Sequence, residues 1–139
     1  MKSRIKKLSV ALLFSLCLVG LSACSHRTTD CRGAHSDVSA ATFAEAIEFR
    51  HNTVLLDVRT ADEYAQGHLP GALLIDVNTD TFATAARRLI PLEKVVAVYC
   101  RSGRRSKRAA ELLAKEGYVA LNLKGGITAW LQEGRPVEH

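Results

Sequence analysis

Residues 95–99, Val-Val-Ala-Val-Tyr, are apolar without alternation, and Cys100 follows them directly. A strand that presents bulky apolar side chains on both faces has to be covered on both faces, as in a parallel sheet packed between layers of helices. One-sided antiparallel sheets, with their polar alternation, do not suit this run. The rest of the chain fits the same reading. Short β-branched or leucine-rich runs alternate with helical spacing, which predicts an α/β fold: a central parallel β-sheet of about five strands flanked by helices on both faces. A chain of 139 residues, 47% hydrophobic and 24% charged, supplies one core and one domain.

The elements follow from local spacing. Phe43, Ala46, Ile47 and Arg50 share one face of a helix predicted over 41–50, with Ser39 or Thr42 near its start. A buried strand over 54–56 ends at Asp57, and a short helix over 61–66 leads into the turn Gly67-His68-Leu69-Pro70-Gly71. A strand over 72–75 and a helix over 82–89 come before Pro91. Beyond Cys100, Ala109, Ala110, Leu113 and Ala114 define a helix over 106–116 that Gly117 stops, followed by a strand over 119–123. Gly125-Gly126 opens a last short helix containing Trp130, which is expected in the core. The chain has no internal repeat and no low-complexity segment.

The amino end has a different character. Lys2, Arg4, Lys6 and Lys7 precede an apolar run from Leu8 to Gly20, and Leu21-Ser22-Ala23-Cys24 follows. This is the layout of a secretory signal. A transmembrane anchor is the alternative, but the apolar segment is shorter than the ~20 residues a span needs. Leu-Ser-Ala-Cys resembles the lipobox of bacterial lipoproteins, which implies cleavage before Cys24, lipid on Cys24 and attachment to a membrane of the bacterial envelope. Ser25, rather than aspartate, at the next position points to the outer membrane, facing the periplasm. An ordinary soluble-secretion signal remains open. The expected organisation is a signal peptide over 1–23, a polar flexible tether over 24–37 and a folded domain over 38–139. Cys17 lies in the discarded segment, leaving Cys31 and Cys100. Cys31 is either an incidental thiol of the tether or a partner that pairs with Cys100 in an oxidising compartment.

The formal charge of +5 owes most to the leader: without residues 1–23 the chain carries 15 Lys plus Arg against 14 Asp plus Glu. Overall basicity therefore gives no reason to expect a nucleic acid partner. The local distribution matters more. Arg101, Arg104, Arg105, Lys107 and Arg108 crowd the segment after Cys100 with no acid among them. With the helix starting at Ser106, Lys107 and Arg108 fall in its first turn, where cations oppose the helix dipole. A bound anion would compensate them, either the Cys100 thiolate or an anionic substrate; a solvated basic face against anionic lipid is the alternative. Cys100 itself sits at the carboxyl edge of a parallel strand, where open α/β sheets keep their ligands. A loop curling around its sulfur can aim backbone N–H groups at it, and the helix N-terminus adds positive potential, both favouring the reactive thiolate. Ser106 is expected to cap its helix and to be within reach of the sulfur.

Three segments in order, DVRTADEYAQGHLPGALLIDV at 57–77, VAVYCRSGRRS at 96–106 and GGITAWLQEGRPV at 125–137, resemble successive signatures of the single-domain rhodanese family, and the resemblance covers nearly all of the chain after the leader. It implies a rhodanese-like fold and sulfurtransferase activity of the thiosulfate sulfurtransferase type. Cys100 would take a sulfane sulfur from a small anionic donor such as thiosulfate, hold it as a persulfide and pass it to cyanide or a thiol. No metal and no organic cofactor is required. Cys100 would be the catalytic residue, and Arg101, Ser102, Gly103, Arg104, Arg105 and Ser106 the substrate-binding loop, with Arg101, Arg104 and Arg105 the partners for the donor's oxygens. Asp57 and Arg59 match the family's Asp-x-Arg and are expected to brace the sheet edge together with Glu63. His68 matches a structural turn, and a persulfide cycle needs no general base once the thiolate exists. Cysteine-based phosphatases use C-x5-R; here the corresponding position is Ser106 and the arginine comes one place early, at Arg105, so the loop length disfavours phosphate. A persulfide carrier or a protein-docking module of the same fold, with little turnover of free substrates, is the alternative to an enzyme.

Overall fold

A computed structural model describes residues 33–48 and 51–139. Cys24, Cys31, the signal layout and Arg50 lie outside the described residues. Five parallel strands, β1 (His35–Val38), β2 (Thr53–Asp57), β3 (Leu73–Leu74), β4 (Val95–Tyr99) and β5 (Val119–Leu123), form one sheet in the order β1-β5-β4-β2-β3. The helices α1 (Ala40–Glu48), α2 (Ala61–Ala65), α3 (Phe82–Leu89), α4 (Arg104–Lys115) and α5 (Gly126–Gln132) connect or follow them.

The unalternating run 95–99 is β4, the centre of the sheet, paired with β2 on one side and β5 on the other. Its side chains divide between two cores. Val96 and Val98, with Leu56 of β2, pack with Phe82 and Ala86 of α3 and Ala109, Ala110 and Leu113 of α4. Ala97 and Tyr99, with Leu55 of β2, pack with Phe43 and Ile47 of α1 and Ile127 and Trp130 of α5. The period of two in each strand thus distributes a continuous apolar run between two helical layers. Trp130 is buried edge-on to Phe43 and donates its indole N–H to the Pro136 carbonyl.

Three boundaries depart from the sequence reading. The tether assigned to 24–37 gives way to β1, where His35 to Val38 pair in parallel with Ala120 to Leu123. The residues His-Ser-Asp-Val carry no strand signal because this is a largely exposed edge strand, specified by the β5 ladder and not by its own side chains. The strand assigned to 72–75 is reduced to Leu73–Leu74 at the opposite edge. The helix assigned to 106–116 begins earlier, at Arg104, because Gly103 turns the chain with φ +89° and allows the helix to start directly behind it.

Gly126 fixes the distance between α5 and the segment after β4. Its φ is +61°, and a Cβ there would meet the Cys100 and Arg101 carbonyl oxygens at 2.4 and 2.5 Å. Both obstacles are backbone, so neither can swing aside. Gly126→Ala is therefore expected to destabilise the fold by at least about 2 kcal/mol, combining overpacking with a left-handed non-glycine residue; urea unfolding would measure it.

Candidate active site

Strand β4 makes its last ladder contact when the Tyr99 carbonyl accepts from Val58 N–H at 3.0 Å, and the chain then leaves the sheet. Cys100 is 1% exposed at this point. Gly103 reverses the loop so that its N–H donates to Cys100 Sγ at 3.2 Å, and the Ser106 hydroxyl donates to the same sulfur at 3.4 Å. Burial pushes the Cys100 thiol up. The Ser106 hydroxyl and the N–H groups of Ser106, Ser102 and Gly103 pull it down further, and the net result lies below the ordinary thiol value. The amino end of the 12-residue α4 points its dipole the same way. These groups favour the thiolate over the thiol in a site that water barely reaches.

Ser106 does this from inside the helix. The earlier start of α4 makes Gly103 the N-cap, so Ser106 is not the cap expected from sequence, and its hydroxyl is free to reach the sulfur. The same shift puts Arg104 and Arg105, not Lys107 and Arg108, at the helix start.

The five cations divide into two sets. Arg105 forms a two-point ion pair with Glu63, Nη1 to Oε2 at 2.8 Å and Nη2 to Oε1 at 2.6 Å. Lys107 faces Asp37 at 3.5 Å, and Arg108 donates to the Val77 carbonyl at 2.8 Å. Arg101 and Arg104 are exposed and have no ion pair among the described residues. Arg105 was expected to be available for the donor's oxygens; Glu63 holds it, although its charge still acts on Cys100. Glu63 was expected to brace Asp57 and Arg59. Instead it completes a capping box with Thr60 and pairs with Arg105, whose guanidinium holds the Glu63 carboxyl at about 2. It ties the start of α2 to the start of α4.

Asp57 and Arg59 form their own buried pair. Arg59 donates Nε and Nη2 to the carboxylate at 2.7 to 3.0 Å and also donates Nη2 to the Gly67 carbonyl at 2.7 Å. This locks the end of β2 to the turn after α2. His68 stacks on Tyr64 with ring centroids 3.6 Å apart, and its backbone exchanges two 2.8 Å hydrogen bonds with Glu138. Its role there is to join the turn to the segment near the carboxyl end.

Two contributors escaped the sequence reading. The N–H groups of Ile127 and Thr128 donate to the Cys100 and Arg101 carbonyls at 2.9 and 3.2 Å, so α5 holds the loop from behind. Asn122 on β5 donates Nδ2 to the Gly103 carbonyl at 3.3 Å and to Asp37 Oδ1 at 2.8 Å. A polar residue inside the otherwise apolar strand VALNL was the available signal. Beside the loop lies an open cleft of about 480 Å³, with Arg101 on one side and Ile127, Thr128 and Leu131 of α5 on another.

A buried cysteine whose sulfur receives N–H and hydroxyl donors at the carboxyl edge of a doubly covered parallel sheet defines an α/β protein with a site suited to sulfur-centred chemistry. The Rhodanese-like domain family matches residues 39–133. The chain belongs to the rhodanese family. It is 34% identical over 103 residues to a protein named sulfurtransferase from Allochromatium vinosum, covering 73% of this chain and 94% of that one. A rhodanese-related protein from Thermoplasma volcanium superposes with a TM-score of 0.62 at 30% identity, covering 73% of this chain and 96% of that one. A rhodanese-like domain protein from Staphylococcus aureus gives 0.62 at 27% identity, with 75% and 99% covered.

Removing the Ser106 hydroxyl takes a donor from the anion. In Ser106→Ala, the pH at which Cys100 becomes half reactive toward iodoacetamide is expected to rise. Alkylation at neutral pH should slow by about tenfold, the worth of one hydrogen bond to a charged group. An alkylation rate profile against pH for both proteins checks this.

Proposed function

We propose that this protein is an enzyme that moves a sulfane sulfur from a small anionic donor such as thiosulfate to a thiophilic acceptor through a persulfide on Cys100. The single observation that supports this most is the convergence of Gly103 N–H and the Ser106 hydroxyl on Cys100 Sγ. Membership of the rhodanese family and the sulfurtransferase relative support sulfur transfer as the class of reaction.

In the first half-reaction the Cys100 thiolate attacks the outer sulfur of thiosulfate. The Sγ–S bond forms, the S–S bond of the donor breaks, and sulfite leaves with the electron pair. Arg101 and Arg104, exposed and without an ion pair among the described residues, are the cations available to the donor's oxygens. In the second half-reaction cyanide or a thiolate attacks the outer sulfur of the persulfide, and the electron pair returns to Sγ. Thiocyanate or a hydropersulfide leaves, and the loop receives back the thiolate it stabilises. No proton has to be abstracted from Cys100 in either half, so the cycle needs no general base.

The same reading places the domain on lipid at Cys24, in the bacterial envelope and facing the periplasm, with the membrane as its attachment partner. The lipobox-like Leu-Ser-Ala-Cys supports it. An oxidising compartment threatens any thiol. Burial of Cys100 to 1% exposure limits its encounter with bulky disulfides, which suits such a setting.

With thiosulfate and cyanide the wild type is expected to form thiocyanate, and Cys100→Ser to form none above the uncatalysed rate. A persulfide detected by mass spectrometry without turnover would instead favour the carrier. Cys24→Ala is expected to abolish acylation and to slow removal of the leader; an unchanged mature mass would reject the lipid anchor.

A further inference from the structure

Asn122 is the polar residue of the strand VALNL and is 2% exposed. In the sheet register it lies beside Val98 of β4 on one side and Asp37 of β1 on the other. Its side-chain nitrogen is fully committed: Nδ2 donates to Asp37 Oδ1 at 2.8 Å and to the Gly103 carbonyl at 3.3 Å. Its Oδ1 is buried with no hydrogen-bond partner among the described residues. The amide cannot be turned round, because Oδ1 would then face two acceptors, a carboxylate and a carbonyl. A buried oxygen left this way destabilises a fold. Neither acceptor depends on the amide for a partner. The Gly103 carbonyl also accepts from Lys107 N–H at 3.0 Å, and the Asp37 side chain, 38% exposed, faces Lys107 Nζ at 3.5 Å. A leucine of the same branching would leave both acceptors served and would remove the orphaned oxygen.

What the amide controls is the loop. Gly103 carries the N–H that donates to Cys100 Sγ at 3.2 Å, and its left-handed backbone lies close against the end of β5, where a Cβ would stand 3.0 Å from the Leu123 carbonyl oxygen. Tying the Gly103 carbonyl to β5 fixes the backbone at the residue whose N–H faces the sulfur. Asp37 in turn decides which end of the Asn122 amide faces the loop. Resting on the reading of Cys100 as a reactive thiolate, we propose that Asp37 and Asn122 are positioning residues: the Asp37 carboxylate orients the Asn122 amide, and the amide aims Gly103 N–H at the Cys100 sulfur. The relay runs from an edge strand, across β5, to the loop. The Asn122 hydrogen bond outweighs burial and, with Lys107, holds the Asp37 carboxyl below the usual carboxylate range, so the carboxylate is charged wherever Cys100 reacts.

The full chain tests this through the pH profile of iodoacetamide alkylation, followed on the Cys100 peptide by mass spectrometry, with urea unfolding alongside. Asn122→Leu is expected to slow alkylation below its midpoint about three- to tenfold and to raise the midpoint correspondingly, as when an anion loses part of one hydrogen bond. Its urea midpoint should stay at or above that of the wild type. Asp37→Ala separates positioning from charge. Removing a carboxylate and freeing Lys107 would, by charge alone, lower the Cys100 midpoint; loss of the relay raises it. Asp37→Asn keeps an oxygen to accept from Asn122 and should return the midpoint to the wild-type value or below. An Asp37→Ala midpoint at or below wild type would overturn the proposal, and so would an Asp37→Asn rise as large as that of Asp37→Ala. Lost stability in Asn122→Leu with an unmoved Cys100 profile would mark a merely structural pair. Should Asn122→Leu fail to fold, the two Asp37 variants, at a partly exposed position, decide alone. A wild-type midpoint at or above the ordinary thiol value of about 8.5 would instead sink the thiolate reading on which the relay rests.

Discussion

The structure is organised around one tension: the donors on the Cys100 sulfur favour its anion, and the sulfur sits where water barely reaches it. Desolvation of Cys100 works against the thiolate, and Arg105, the cation that acts on it, is shared with Glu63. The compensation comes from dipoles. N–H groups of the loop and the first turn of α4, with the Ser106 hydroxyl, converge on Sγ. Convergence demands a tight reversal at Gly103, and that reversal demands support. The Gly103 carbonyl is held by Asn122 and by Lys107 N–H, while the Cys100 and Arg101 carbonyls are held by α5. With its donors aimed at sulfur and its acceptors tied outward, the loop has little freedom to relax, which is the preorganisation that favours an anion without reorganisation during reaction.

The same dependence explains what could be read from sequence. Strand β4, the helices over both faces and the position of Cys100 were legible because a strand without polar alternation admits few architectures. Edge strand β1 was not legible, since its exposed residues borrow their conformation from β5. The role of Ser106 was half legible. Proximity to sulfur follows from spacing, but the start of α4 depends on a left-handed glycine, Gly103, where a Cβ would crowd the Leu123 carbonyl and the Gly125 nitrogen at 3.0 Å. Pairings between distant segments, such as Glu63 with Arg105 and Lys107 with Asp37, leave no local pattern at all. Charge crowding was visible in sequence; its division into structural and free cations was not.

That division bears on the chemistry more than the crowding does. Five cations in eight residues suggest a strong anion site, yet Arg105 is committed to Glu63, Lys107 to Asp37 and Arg108 to a carbonyl. Glu63, charged down to about 2, offsets part of the Arg105 charge at the lip of the loop across the whole neutral range. Arg101 and Arg104 remain. Two exposed arginines leave positive charge beside the loop.

Loop length points in the same direction. A phosphate-binding cysteine loop aims its N–H groups at oxygens arranged around the nucleophile and closes on them with an arginine after five intervening residues. Here that sixth position is Ser106, and the donors close on Sγ itself at 3.2 and 3.4 Å. A loop whose donors close on one atom is complementary to a sulfur anion there. The neighbouring arginine, one place early and tied to Glu63, cannot serve as the missing clamp without breaking the pair that joins α2 to α4. The convergence of donors on sulfur therefore resides in the reversal at Gly103 and in the α5 contacts that hold the loop behind it.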